Sequence, residues 1–262
     1  MAENSVLQET TSNKIRVLRL NRPKALNALG EELVGALERE IDAAKKQRDI
    51  RAIIFASTSE KAFCAGADLK ERMGMTIPDT KRFVQRLSGL FRKIEQIEVP
   101  TVAAIDGAAF GGGLELAIAC DFRTINTEAM VGLTECALGI MPGAGGTQRL
   151  WRLVGLPKAK ELIFSAQKIA GKEAFDLGLA DRLVAPEGSA FNEAMSMVER
   201  MTRNAPLGVR AAKKAIVDGF GLEMEAGLKL EQECYEKLLL TKDRKEGLLA
   251  FSEKRFPNFT GT

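Results

Sequence analysis

Three consecutive glycines, Gly111, Gly112 and Gly113, are the feature that most restricts how this chain folds. They follow an apolar run at 100–106, PTVAAID, and precede another at 114–119, LELAIA. A run rich in Val, Ile and Ala reads as a core strand, and the segment after the glycines reads as the first turns of a buried helix. No β-carbon stands in the way at the junction, so other backbone or a ligand can approach it closely. The N–H groups near Gly112 also lie at a helix start, which favours developing negative charge. One glutamate, Glu115, follows at once. A second glycine-bearing block, at 132–135 and 138–149, carries Glu135. Exposed backbone N–H groups hold an oxyanion, and two carboxylates supply an acid and a base. The combination points to proton chemistry beside a polarised carbonyl.

The chain of 262 residues contains no histidine. Histidine-based triads and histidine-ligated metals are therefore excluded within it, and the proton carriers must be Glu, Asp, Lys, Tyr or Cys. The single tyrosine, Tyr235, falls in a helical C-terminal segment. The cysteines, Cys64, Cys120, Cys136 and Cys234, show no metal-ligand or CxxC spacing, so we expect no metal and a reduced interior. A net charge of +3 gives no electrostatic case for nucleic acid or membranes. No signal core, Arg-rich presequence or apolar run of ~20 residues is present. The expectation is a cytoplasmic protein, or a mitochondrial matrix protein if the chain is a processed form.

Strands are expected at 13–20, 51–57, 100–106 and 121–126, with amphipathic helices at 29–46 and 79–97. Such alternation gives an α/β architecture. Helices are expected at 157–166, 171–177, 189–203, 206–217, 222–240 and 241–254, punctuated by Pro157, Gly171, Pro206 and the Gly219 to Gly221 region. The expected division is a core at 1–195 carrying the site and a helical region at 196–262 for subunit contacts and site closure. No strict repeat is visible.

Several segments, in order and spacing, resemble the enoyl-CoA hydratase (crotonase) family over almost the whole chain. They are NRPKALNAL at 21–29, AFCAGADLKE at 62–71, GGGLELA at 111–117, GIMPGAGGTQR at 139–149, AKEL at 159–162 and EGLLAFSEKR at 246–255. The stretches 63–72 and 241–247 look most like 3-methylglutaconyl-CoA hydratases, enzymes of leucine catabolism. The resemblance implies a crotonase (ClpP-like) spiral of ββα units with a C-terminal helical trimerisation region, trimers pairing into hexamers. It implies an acyl-CoA thioester substrate and no cofactor, since coenzyme A arrives as part of the substrate.

The resemblance also assigns residues. Ala67 and Gly112 match the family's two oxyanion donors. Glu115 and Glu135 match its catalytic pair, Glu115 orienting and deprotonating water and Glu135 delivering a proton to Cα while also holding the water. Two neighbouring carboxylates cannot both be charged and dry, so one keeps a raised pKa. Isomerases of the superfamily typically keep only one of the pair, so two glutamates favour hydration over isomerisation or thioester hydrolysis. The flanks of Glu115 are apolar, against a solvated helix face. Ala65, Gly66, Ala67, Asp68, Leu69 and Lys70 match the lining of the coenzyme A site. Lys24 and Lys70 match positions near its phosphates, and Lys254 is expected to reach the nucleotide, from its own or a neighbouring subunit. The loop at 143–148 lacks the Lys-Ser/Thr of a P-loop and shapes the wall beside Glu135. Cys64 and Cys136 read as small buried hydrophobes. A 3-methylglutaconyl substrate needs a cation, from Arg72 or from 73–86. An RNA-binding relative has a lysine-rich first helix; here that helix carries Glu31, Glu32, Glu38, Glu40 and Asp42, so no nucleic acid is expected.

Overall fold

A computed structural model describes residues 4–262. Along the chain, β1 (Val6–Thr10) and β2 (Ile15–Leu20) lead through α1 (Glu31–Lys46) to β3 (Ala52–Ser57) and β4 (Ala62–Cys64). Next come α2 (Leu69–Met73), α3 (Ile77–Glu95), β5 (Thr101–Ile105), β6 (Ala108–Phe110) and α4 (Gly112–Ala119). β7 (Phe122–Asn126) and β8 (Met130–Gly132) precede a 3-10 turn, Glu135–Leu138, then α5 (Gly146–Val154) and α6 (Leu156–Phe164). β9 (Ile169–Ala170), α7 (Gly171–Asp176) and β10 (Arg182–Val184) follow. The chain closes with α8 (Ala190–Thr202), α9 (Pro206–Gly219), α10 (Met224–Glu236) and α11 (Lys242–Ser252).

The strands sort into two sheets. The larger runs β1-β2-β3-β5-β7-β10, parallel except for the β1–β2 pair. The smaller runs β4-β6-β8-β9 and is parallel except for β9. Successive pairs β3–β4, β5–β6 and β7–β8 each give one strand to each sheet before the chain turns into helices. This is the spiral of ββα units that the resemblance implies. The sequence hides the repeat because β4, β6 and β8 are three residues each, too short to display an alternation.

Parallel strands buried on both faces read as continuous apolar runs. Accordingly every residue of β5 is buried, and every residue of β3 but the last. One face of the large sheet packs on α8 through Ile15, Ile54, Val102, Ala190, Ala194 and Val198. The other faces the main core of α1, α3 and α4, with Phe55, Phe63 and Phe91 fully buried. Helix α3 begins in a reciprocal cap: Thr76 Oγ1 accepts from Asp79 N, and the Asp79 carboxylate accepts from Thr76 N. Its Phe83, Leu87, Leu90, Phe91 and Ile94 form the buried stripe.

Several expectations need adjustment. Helix α1 starts at Glu31, not at 29, because Leu29 is spent on a bridge to Ala67. The strand β1 adds to the expected set; only Val6 of its five residues is buried, so it lacks an apolar signature. The division at 195/196 falls inside α8, whose buried face covers the sheet through Val198. By packing, the core extends to the end of α8. Beyond it, α9 has no buried residue and α10 only Cys234. An ion pair anchors α9: Lys213 Nζ lies 2.6 Å from Asp121 Oδ2, which also accepts from Thr101 N. The acidic side of α1 is engaged by α3, with Glu31 and Glu38 on Arg86 and Asp42 on Lys93. Among the described residues, no helix is long and apolar enough to cross a membrane.

Candidate active site

The site lies where the β4 exit, the N-terminus of α4 and the loop after the 3-10 turn converge. Leu29 N donates to Gly66 O at 2.7 Å, and Asp68 N donates to Leu29 O at 3.2 Å. That pairing brackets Ala67 and turns its own N–H to the other side of the chain. There it faces the start of α4: a β-carbon on Gly112 would stand 4.0 Å from Ala67 N. The Ala67 and Gly112 N–H groups thus lie close together, and neither is spent on a protein acceptor among the described residues. Glycine is required at two neighbouring positions. Gly66 has φ 98, and a β-carbon there would lie 2.8 Å from the Phe110 carbonyl oxygen. Gly111 has φ 48, and a β-carbon there would lie 3.1 Å from Glu135 Oε1.

The loop carrying Ala67 is locked by Asn27, which is fully buried with φ 55. Its Nδ2 donates to Ser57 Oγ at 2.8 Å and to Phe63 O at 3.0 Å, and its Oδ1 accepts from Arg22 N at 2.7 Å. Asn tolerates the left-handed region better than most residues, so the second Asn of the 21–29 motif serves both backbone geometry and bonding.

Glu115, on α4, is 3% exposed. Its Oε1 accepts from Ala144 N and from Gly146 N, both at 2.8 Å. Burial raises its pKa, against the pull of those two N–H groups and of the Arg149 guanidinium. Glu135 opens the 3-10 turn and is half-buried. Burial and then the charge of Glu115 push its carboxyl up to about 7. Its Oε2 is buried and has no protein partner. Both glutamates are thus raised, but they are dressed oppositely. Glu115 is clamped by two donors that stabilise a carboxylate, while Glu135 has an oxygen free to hold and release a proton near neutral pH. Glu135 Oε1 lies beside Gly111, the residue that caps the helix carrying Glu115, which brings the two carboxylates into one neighbourhood.

Residues the sequence reading missed are Ala144, Gly146 and Arg149. The turn before α5 places Ala144 N and Gly146 N on Glu115, which the glycine-rich string alone does not reveal. Arg149 Nη1 donates to Ala144 O at 3.1 Å, and its Nε and Nη2 reach Glu95 Oε1 and Oε2 at 3.3 and 3.1 Å.

The expected coenzyme A residues are only partly gathered. Ala65 N donates to Leu26 O at 3.0 Å, so the 22–30 and 65–70 segments lie side by side, with Lys24 and Lys70 both exposed. The Asp68 side chain is already engaged: it caps α2 through Glu71 N and pairs with Arg22 at 3.1 Å. Leu69 is exposed. Lys254 makes no hydrogen bond or ion pair from its side chain among the described residues. It lies exposed just past α11, which is tied to the C-terminal tail by Asp243, accepting from Thr260 N and Gly261 N. Cys64 is buried and its thiol is pushed up to about 12, so it acts as packing. Among the described residues, no group of three or more His, Cys, Asp or Glu side chains is arranged to hold a metal ion.

The family model described as enoyl-CoA hydratase/isomerase matches residues 10–262. The mouse protein named enoyl-CoA hydratase domain-containing protein 2, mitochondrial, is 45% identical over 245 residues, covering 92% of this chain and 83% of the relative. Human methylglutaconyl-CoA hydratase, mitochondrial, is 44% identical over 256 residues, covering 97% of this chain and 76% of the relative. A crystal structure of enoyl-CoA hydratase from Bacillus anthracis superimposes with a TM-score of 0.95 at 40% identity, covering 98% of this chain and 100% of that one.

Proposed function

The chain belongs to the enoyl-CoA hydratase/isomerase family and is a hydro-lyase, and on that premise we propose the following division of labour for hydration of a 2-enoyl-CoA thioester. Glu115, as carboxylate, takes a proton from water while the water oxygen bonds to Cβ. The Cα=Cβ pair shifts toward the thioester, whose oxygen gathers negative charge between the N–H groups of Ala67 and Gly112. A donor of this kind supplies about 3 kcal/mol of barrier reduction in other enzymes. Glu135, carrying its proton, delivers it to Cα. Hydrogen ends on Cα and hydroxyl on Cβ, and the pair resets when a proton returns from Glu115 to Glu135 through solvent. The reaction is reversible by the same groups.

The observation that carries this reading is the opposite dressing of the two carboxylates: two N–H donors on Glu115, an unpartnered buried oxygen on Glu135. Hydration of crotonyl-CoA and 3-methylglutaconyl-CoA, followed by loss of enoyl-thioester absorbance, tests it. Turnover that survives in either Glu115→Gln or Glu135→Gln removes the paired mechanism. The 3-methylglutaconyl substrate is a second reading. Its extra carboxylate needs a cation, and Arg72 lies 4.8 Å over the Phe83 ring with no carboxylate partner among the described residues. The ratio of kcat/KM for the two substrates decides between them.

The nucleotide of coenzyme A is assigned to Lys24, to the 65–70 backbone and Lys70, and to Lys254 from a neighbouring subunit. Raised KM with kcat kept in charge-removal variants is the expected result. The assembly is a trimer or a hexamer. Exposed Ile216, Phe220, Met224, Leu240, Leu248 and Phe251 on or beside α9, α10 and α11 support this, because apolar surface of that extent calls for a covering partner. Light scattering that reports a monomer refutes it. Relatives named mitochondrial stand beside a bacterial one, so a matrix location is the alternative to a cytoplasmic one.

A further inference from the structure

The turn that holds Glu115 is built from residues that cannot hold themselves. Gly143, Gly145 and Gly146 surround Ala144, and Gly145 has φ 111. Glycine loses the most conformational freedom on ordering, so two donors on such a segment need a brace. Arg149 is that brace in position. It folds back over Gly145, where any β-carbon would collide with Arg149 Nη1. Its guanidinium bonds the Ala144 carbonyl and forks onto Glu95, with only 14% of the side chain exposed. Glu95 is itself held by Arg92 Nη1 at 2.7 Å. Ala144 is therefore gripped by its carbonyl on one side while its N–H holds Glu115 on the other.

We propose that Arg149, anchored by Glu95, is a positioning residue that fixes the Ala144–Gly146 turn onto Glu115 and keeps the base oriented toward the reacting water. The charged groups around Glu115 are few: Arg149 from α5, Glu135 from the 3-10 turn, and Glu95 and Arg92 from α3 behind Arg149. Arg149 is the cation among them that lowers the Glu115 pKa. Removing it therefore raises the pH at which Glu115 ionises. Lysine keeps the charge but not the planar fork that spans two acceptors.

The kinetic part of this proposal rests on the hydratase reading above, so the test has an arm that needs no turnover. Arg149→Gln, Arg149→Lys and Glu95→Gln are compared with the native chain. For crotonyl-CoA hydration, Arg149→Gln is expected to lose ~10- to 100-fold in kcat, the scale of a misplaced catalytic group, with KM changed less than about twofold and the acid limb of kcat/KM moved to higher pH. Arg149→Lys loses kcat but keeps the acid limb, and Glu95→Gln loses part of kcat. In parallel, the Glu115 carboxyl is titrated by infrared difference against Glu115→Gln. It should ionise at higher pH in Arg149→Gln than in the native chain. A variant that lowers Tm while kcat, pH profile and the Glu115 titration stay native shows a merely structural role and overturns the proposal. If the native chain hydrates no enoyl-CoA, the hydratase reading fails alone, and an unchanged infrared titration still refutes the role of Arg149. Should Arg149→Gln not fold, Arg149→Lys and Glu95→Gln decide by the split between kcat and KM.

Discussion

Glu135 holds its proton at a cost to folding, and replacing it by glutamine exposes that cost. In the folded chain its carboxyl rises from 4.5 to about 7. Between those values the native state keeps a proton that the unfolded state has released. Stability therefore falls as pH rises through this window. Below 4.5 the penalty is absent, and above about 7 it is complete. At ~1.4 kcal/mol per pH unit, the full rise is worth about 3.5 kcal/mol at most. Part of the side chain reaches solvent, and screening reduces the figure to about 1–2 kcal/mol. Glutamine fits the same space, and Oε2 has no protein partner to lose. Glu135→Gln should therefore exceed the native Tm only slightly near pH 5 and by about 2–8 °C near pH 8.5, at ~2–4 °C per kcal/mol. Differential scanning fluorimetry at one protein concentration reads this directly, and fixed concentration removes any contribution from assembly. The same variant should lose ~100-fold or more in kcat for hydration, the contribution of a positioned general acid. A Tm difference that is the same at both pH values, or larger at pH 5, refutes the reasoning.

Three other outcomes follow from the same geometry. Glu115→Gln should lower kcat ~100-fold or more with little change in KM. It should also shift the Glu135 titration to lower pH, because the neighbouring charge is gone; a pH–rate profile and a carboxyl titration check this. Asn27→Ala leaves the Phe63 carbonyl and Ser57 hydroxyl without that donor and puts alanine at φ 55, costing about 2–4 kcal/mol by thermal denaturation and slowing turnover through displacement of Ala67. Gly66→Ala places a β-carbon 2.8 Å from the Phe110 carbonyl oxygen at φ 98. It should cost about 1–3 kcal/mol, and the surviving folded enzyme should lose kcat more than it gains KM.

Much of the core was legible in the sequence because its elements are long and one-sided. The stripe of Phe83, Leu87, Leu90, Phe91 and Ile94 announces α3, and the all-buried run of β5 announces a parallel strand. Glu115 stands out as a charge inside an apolar helix, and α4 buries all of its residues around it. The short strands β4, β6 and β8 and the helix α5 were not legible. Three residues carry no period, and α5 is only nine residues long, starts within a glycine-rich loop and lacks the apolar run that marks α4.

The site divides in the same way. The sequence by itself determined which groups could act: no histidine, two glutamates beside glycine blocks, and backbone N–H groups that glycine leaves accessible. Local chemistry decides those points, since they depend on residue type and on near neighbours in the chain. Only the tertiary structure decided which glutamate is clamped and which is left with a free oxygen. The donors on Glu115 come from Ala144 and Gly146, 29 and 31 residues away. The brace on that turn comes from Arg149 and Glu95, 54 residues apart. Desolvation and hydrogen bonding set the protonation of a carboxyl, and both depend on what packing brings to it across the chain.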